Sequence, residues 1–278
     1  MFPGCELPVP GARRHSRPRW NPADYAANSS VQESWARELI AKLKLRGDEQ
    51  ILDVGCGDGK VTAALARAVP KGGVTGVDAS PEMIRFAQSS FSAKKYSNLE
   101  FQLMDASKLS LPRKFDVVFS NAVLHWVSDH PGFLRGAAAA LVPGGRLMTS
   151  CGGQGNAQEV FLAIRSILRL KQWREYFRGM DKPYYFHSPA EYEKWLPRFG
   201  FKPLAVRLAP KDAVYPDPAA FEAWLRSTWL PYVQKVPDDL RETFIKTITD
   251  RYLTRHPADD SGQVHVRMVR LEIEATRI

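Results

Sequence analysis

Apolar residues in this chain fall into short runs separated by glycine, proline and charge, and the spacing within each run predicts its element. Ile51 to Val54 is an apolar run closed by glycines and reads as a strand over 51–54. Val61, Ala64, Leu65 and Ala68 then recur at i, i+3, i+4 and i+7, which predicts a helix over 60–69 with those residues on one face. Pro70 and Gly72-Gly73 break it. A strand over 74–78 follows, then a helix over 81–91 with Ser80 as N-cap and Pro81 at its first position. Strands are read over 99–103 and 115–120, the second almost continuously apolar, as parallel strands buried on both faces are. Pro143-Gly144-Gly145 reads as the end of the next helix and Arg146 to Ser150 as a fifth strand. Upstream, Trp35, Leu39, Ile40 and Leu43 give an apolar face to a helix from about Ser30 to Leu43.

Beyond Cys151 the pattern turns helical and aromatic. Val160, Ile164, Ile167 and Leu168 mark one helix, Ser188 to Phe199 another, and Phe201 to Leu208 a sixth strand. An insertion over 211–257 carries Phe221, Trp224 and Leu225, then Leu240, Phe244 and Ile248, at helical spacing. Val264 to Arg277 is a closing strand whose alternation slips at Met268-Val269, which predicts a bulge or bend there. Strands alternating with helices imply an α/β fold, one doubly wound sheet joined by right-handed crossovers. The expected organisation is a disordered basic leader over 1–19 and a single domain over 20–278. Within that domain lie an N-terminal lid over 20–47, a core over 48–151, a helical region over 152–200 and a helical cap over 211–257.

Composition changes this picture little. The apolar and charged fractions, 44% and 25%, are those of a globular protein with a sizeable core. No apolar run approaches the roughly 18 residues a membrane span needs. The N-terminus has no apolar h-region, so a cytoplasmic protein is expected. Cys5, Cys56 and Cys151 lie far apart and imply neither a disulfide framework nor a metal site. Net charge is +9, which raises nucleic acid as a partner, but Arg13, Arg14, Arg17 and Arg19 account for part of it. The other cations form no stripe interleaved with aromatics, so nucleic acid is not expected as the partner. The oligomeric state is left open, with a monomer favoured.

The chemistry concentrates at Gly55-Cys56-Gly57-Asp58-Gly59, where a strand turns into a helix. Such a turn lets backbone approach a ligand, and first-turn N–H groups point at it. Asp78 ends the second strand about 20 residues further on, where an acidic side chain suits the two hydroxyls of a ribose. The plain alternative is a generic βαβ unit. Dinucleotides favour G-x-G-x-x-G, but here the third glycine comes one position early and Lys60 stands in its place. That departure points away from a pyrophosphate ligand.

The stretch Asp53-Val54-Gly55-Cys56-Gly57-Asp58-Gly59 resembles the first motif of the class I S-adenosylmethionine-dependent methyltransferases, and Asp78 and Met104-Asp105-Ala106 resemble the next two. The resemblance implies a Rossmann-like seven-stranded sheet with an N-terminal lid helix and a helical cap before the last strand. It implies cofactor contacts from Asp53, Gly55, Cys56, Gly57, Asp78, Ala79, Met83, Asp105, Ala106, Asn121 and Ala122. Tyr25 and Gln32 match lid residues that reach over the cofactor, or they merely pack. From Trp20-Asn21-Pro22 onward the layout is similar to the trans-aconitate methyltransferases, through Asn121-Ala122-Val123-Leu124-His125-Trp126, Trp224 to Pro231, and Arg270-Leu271. Those enzymes esterify a small polycarboxylic acid, so a small anionic substrate is implied. Two departures matter: the family usually has Gln where His125 stands, and an Arg where Leu230 precedes Pro231.

His125 is the candidate catalytic residue, positioning an anionic substrate or acting as base, or else a structural histidine. Trp126, Trp229, Arg226, His265 and Arg267 are the substrate candidates, the three cations being alternatively surface residues. The expected activity is methylation of a small molecule at a carboxylate oxygen. Its rivals are C- or O-methylation of another small molecule, RNA methylation, a non-catalytic cofactor binder, and a nicotinamide-dependent oxidoreductase.

Overall fold

The glycine-closed apolar run becomes an inner strand of a seven-stranded sheet. The structure, a computed structural model, describes residues 19–278 other than 29, 93 and 113, without the side chains of 27, 28 and 30–32. Arg13, Arg14, Arg17, Cys5 and the Gln32 side chain therefore lie outside the described residues. The strands are β1 (Gln50–Val54), β2 (Gly73–Asp78), β3 (Leu99–Leu103), β4 (Phe115–Asn121), β5 (Leu141–Gly152), β6 (Phe201–Tyr215) and β7 (Val264–Arg277). Their spatial order is β3-β2-β1-β4-β5-β7-β6, with β7 antiparallel to both neighbours and the pairs among β1 to β5 parallel. The order reverses between β1 and β4, and a crevice opens beyond their carboxyl ends, the place where such sheets bind ligands.

Ten helices accompany the strands among the described residues: α1 (Pro22–Asn28), α2 (Ser30–Leu43), α3 (Lys60–Ala68), α4 (Pro81–Ser90), α5 (His130–Ala140), α6 (Gln158–Ile167), α7 (Pro189–Arg198), α8 (Pro218–Thr228), α9 (Leu230–Val233) and α10 (Arg241–Leu253). Successive side chains of a strand point to opposite faces, and each face finds its own cover. Ile51, Val117 and Phe119 pack with Leu39 and Leu43 of α2, Leu65 of α3 and Ala87 of α4. Leu52, Val54 and Val118 pack on the opposite face with Phe133 and Leu134 of α5 and Leu196 of α7. A third core joins α6, α8 and α10 through Ile164, Phe221, Leu225, Phe244 and Ile248, on Val264, Val266 and Met268 of β7. No helix among the described residues is long and apolar enough to cross a membrane.

Five expectations are corrected. The buried face of α3 is Thr62, Ala63, Leu65 and Ala66 rather than Val61, Ala64, Leu65 and Ala68, because the Thr62 hydroxyl donates to buried Asp53 Oδ2 at 2.7 Å. The helix before β5 stops at Ala140, and Pro143-Gly144-Gly145 forms an irregularity within β5, where the β4 pairing jumps from Leu141 to Arg146. β6 runs on to Tyr215, so the insertion starts near α8 and not at 211. The β6–β7 ladder passes Met268-Val269 in continuous register, and its shift lies at Pro203/Ala205. The slip in β7 alternation marks instead the point where the strand loses β5, whose pairing ends at Arg270, and enters the cap. Arg19, read as the end of a disordered leader, is docked: its N–H donates to Gln234 Oε1 at 3.0 Å, and Gln234 Nε2 donates back to its carbonyl at 2.6 Å.

Candidate active site

The turn after β1 is built on backbone that side chains would obstruct. Gly55 has φ +78°, and a Cβ there would lie 2.7 Å from Val123 Cβ and closer still to its methyls. Gly57 N–H donates to Asp78 Oδ2 at 3.1 Å and Ser80 N–H to Asp78 Oδ1 at 2.8 Å, so two backbone donors hold that carboxylate at the crevice. Asp105 Oδ1 accepts from Ser107 N–H at 2.9 Å and from its hydroxyl at 2.8 Å, which fixes the short turn carrying Ala106. Ala122 sits at φ +61°, a conformation that costs a non-glycine residue of order 1 kcal/mol and is concentrated at functional sites. These segments enclose a cleft of about 430 Å³.

An acidic recess of about 40 Å³ continues from the glycine turn. Burial, against the Thr62 hydrogen bond and aided by Asp78, raises the Asp53 carboxyl to about 7. Asp58 is also raised by burial, against the lowering effect of Lys60, whose Nζ lies 3.5 Å from Asp58 Oδ2. Burial and then Asp58 and Asp78 raise the Tyr25 phenol, which therefore stays a donor. Acceptors gathered at the end of a cleft suit a ligand carrying an ammonium group at one end and ribose hydroxyls nearer Asp78. The amino-acid tail and nucleoside of the implied cofactor fit that chemistry.

A second cavity, of about 90 Å³, shares Trp20, Tyr25, Ala122 and Trp126 with the cleft and runs under the cap. Its lining is mostly rings, with His125, Arg270, Asn156 and Thr228 among them. His125 Nδ1 accepts the Gly152 N–H at 3.2 Å, so the neutral ring carries its proton on Nε2. Burial, then Arg270 and His130, push its pKa down to about 3. It is a donor near neutral pH and has no free basic nitrogen. Arg270 is only 4% exposed. Its Nε donates to Ser150 Oγ at 3.2 Å, and Nη2 to the Ser150 carbonyl at 2.8 Å and Asn121 Oδ1 at 3.3 Å. The guanidinium lies 5.1 Å from the Trp35 ring. Among the described residues no carboxylate comes within ion-pair distance of it, and its Nη1 has no hydrogen-bond partner.

Of the residues singled out from the sequence, Tyr25, Gly55, Gly57, Asp78, Ala79, Met83, Asp105, Ala106, Asn121 and Ala122 line the cleft, and Asp53 and Cys56 line the recess. Burial raises the Cys56 thiol well above its usual range, as befits a packed and unreactive side chain. Trp126, Trp229 and His125 meet in the second cavity. Arg226, His265 and Arg267 do not join them. Arg226 Nε pairs with Glu242 Oε1 at 2.8 Å, Arg267 with Glu159 at 2.6 Å, and His265 with Asp212 at 2.7 Å and Asp259 at 3.2 Å, all near the surface. Parity along β7 explains two of these. Val264, Val266, Met268 and Arg270 alternate inward, while His265 and Arg267 occupy the outward positions between them. Sequence reasoning passed over Arg270 as a site residue, although a lone charge in phase with apolar inward positions was the available signal.

Comparison with known proteins agrees with this geometry. The family model described as a methyltransferase domain matches residues 45–190. An uncharacterized methyltransferase of Schizosaccharomyces pombe is 33% identical over 186 residues, 66% of this chain and 70% of the relative. A trans-aconitate 2-methyltransferase of Rhodopseudomonas palustris is 28% identical over 269 residues, 93% of this chain and 99% of that protein. In fold, the chain is similar to the magnesium protoporphyrin IX methyltransferase of Synechocystis solved with bound S-adenosylhomocysteine, at TM-score 0.54 and 18% identity, covering 92% of this chain and 86% of that one.

Proposed function

The chain belongs to the methyltransferase family, with S-adenosylmethionine as its cofactor, and from that premise we propose that it esterifies a carboxylate of a small anionic molecule. The observation that carries this reading is Arg270, a buried guanidinium without a carboxylate partner among the described residues, lining the cavity beside the cofactor cleft. A buried charge without a counter-charge is costly, and an anionic ligand is the partner that relieves it. S-adenosylmethionine, when bound, would supply an electrophilic methyl group to a carboxylate oxygen, with its sulfur keeping the electron pair of the bond that breaks. No proton moves in that step. Arg270 Nη1 and His125 Nε2–H are donors suited to holding and orienting the carboxylate, and the surrounding rings exclude water that would stabilise separated charges.

The lining supports this nucleophile over a carbon or phenol, which would need a base. Among the described lining residues of the second cavity there is no carboxylate, and His125 has no free basic nitrogen. Supplied with methyl-labelled cofactor and a pool of small carboxylic acids, the protein should yield a product that releases labelled methanol in alkali, as esters do. Cofactor binding by calorimetry with no alkali-labile product from any acid would refute the acid reading.

His125 yields a separate expectation. With the ring pushed down to about 3, protonation is confined to pH well below 6, so any inflection of kcat/KM near pH 6.5–7 should persist in His125→Gln and belong to Asp53, which burial raises to about 7. His125→Gln keeps a side-chain N–H donor and should stay within about threefold of the parent, whereas His125→Leu should lose roughly ten- to a hundredfold, the worth of one hydrogen bond to a charged group. An inflection near pH 6.5 that vanishes in His125→Gln would instead make the residue a base.

A further inference from the structure

Resting on the acid reading, we propose that the acceptor is a monocarboxylic acid with a planar, apolar body, and that polycarboxylates are excluded. Arg270 is the only cationic side chain among the described residues lining the second cavity. Of the nearby cations, Arg226 is committed to Glu242 and Arg267 to Glu159, and Arg19 lines the cofactor cleft rather than this cavity. A second carboxylate would therefore lose its water and meet no counter-charge, a loss that costs binding heavily.

The rest of the wall is built to receive an apolar surface. Trp126 and Tyr184 lie with ring centroids 4.8 Å apart, Phe161 and Trp229 4.7 Å, and Phe161 and Tyr184 5.7 Å. Their mutual tilts expose faces and edges at differing angles, a surface on which a flat π-system finds stacked and edge-on partners. Three of the polar atoms among them are turned into the fold. Tyr184 OH donates to the Thr228 carbonyl at 3.1 Å, Thr228 Oγ1 donates to the Trp224 carbonyl at 2.6 Å, and Asn156 Oδ1 accepts from Val269 N–H at 3.0 Å. What remains facing a ligand is mostly aromatic, with the Arg270 guanidinium, the His125 imidazole N–H and the Tyr25 phenol at the cofactor side. A single anionic head and a ring-sized tail match that division, and about 90 Å³ suits a body of one ring or a short conjugated chain. Esterification removes the head's charge, so the product no longer pairs with Arg270 and its release is eased.

The test compares benzoate and trans-cinnamate with trans-aconitate and citrate at saturating cofactor, reading kcat/KM for ester formation. Binding is read separately by quenching of intrinsic tryptophan fluorescence in the presence of S-adenosylhomocysteine. The planar monoacids should exceed the tricarboxylates at least tenfold in kcat/KM and quench at lower concentrations. Phe161→Leu should lower kcat/KM for trans-cinnamate several-fold more than for butyrate while leaving cofactor affinity unchanged. Esterification of tricarboxylates at parity or better overturns this inference and leaves the acid reading standing. Absence of ester from every acid, with the cofactor bound, overturns both.

Discussion

Gly55→Ala should weaken S-adenosylmethionine binding by about a hundredfold or more, measured by calorimetry. A residue with φ +78° is in the left-handed region, which costs an alanine roughly 1–2 kcal/mol. The larger effect is steric, since the added methyl overlaps the whole Val123 side chain. Overpacking of this kind costs typically about 1–3 kcal/mol when neighbours must shift, and Val123 itself lines the cofactor cleft. The two costs together, roughly 2–5 kcal/mol, fall on the segment that the ligand needs in place. Gly144→Ala separates the contributions. Gly144 has φ +78° as well, but nothing lies within 4 Å of a Cβ there, so that variant bears the backbone cost alone and should bind cofactor normally. Gly55→Ala with native affinity, while its melting temperature falls no more than that of Gly144→Ala, would show that the turn does not hold the cofactor.

Arg270→Met should reduce kcat/KM for ester formation about a thousandfold, with the cofactor Kd held within threefold. The side chain keeps apolar bulk beneath Trp35 and loses the charge. Removing one partner of a buried charge pair costs roughly 3–5 kcal/mol, a factor of about 10² to 10⁴. Arg270→Lys keeps the charge but cannot hold Ser150 and Asn121 while also presenting a free fork nitrogen, so it should recover only part of the loss. The chain itself should tolerate the neutral variant, because in the absence of acceptor no carboxylate among the described residues lies within ion-pair distance of the guanidinium, and burial of its charge opposes folding. A tenfold or greater loss of cofactor affinity in Arg270→Met would assign the residue to the carboxylate of the cofactor and remove the basis for an anionic acceptor.

These two residues also mark what can be read from a chain of letters. Gly55 announces itself, because a strand, a glycine turn and a helix with an acidic residue at the next strand's end form a contiguous pattern. Every member of that pattern sits within a stretch shorter than thirty residues. Arg270 comes to the site from the far end of the chain, 149 positions from its partner Asn121. The two meet only because β7 inserts antiparallel between β5 and β6. His125 shows the same division. Its place at the carboxyl edge follows from the strand before it, but its role as donor follows from the Gly152 N–H, a bond between distant segments.

Local periodicity by itself determined the strands β1 to β4, the helices α2, α4, α6 and α7 to within about two residues, and the cofactor loop, because dihedral preference and the alternation of apolar positions act over a few residues. Only the tertiary structure decided how far β6 extends, which β7 cations face inward, which α3 residues are buried, and which side chains close the second cavity. Those outcomes depend on strand pairing and on burial against remote neighbours: a ladder with β7 carries β6 past its own weak pattern, and one step of parity separates Arg270 in the core from Arg267 on the surface.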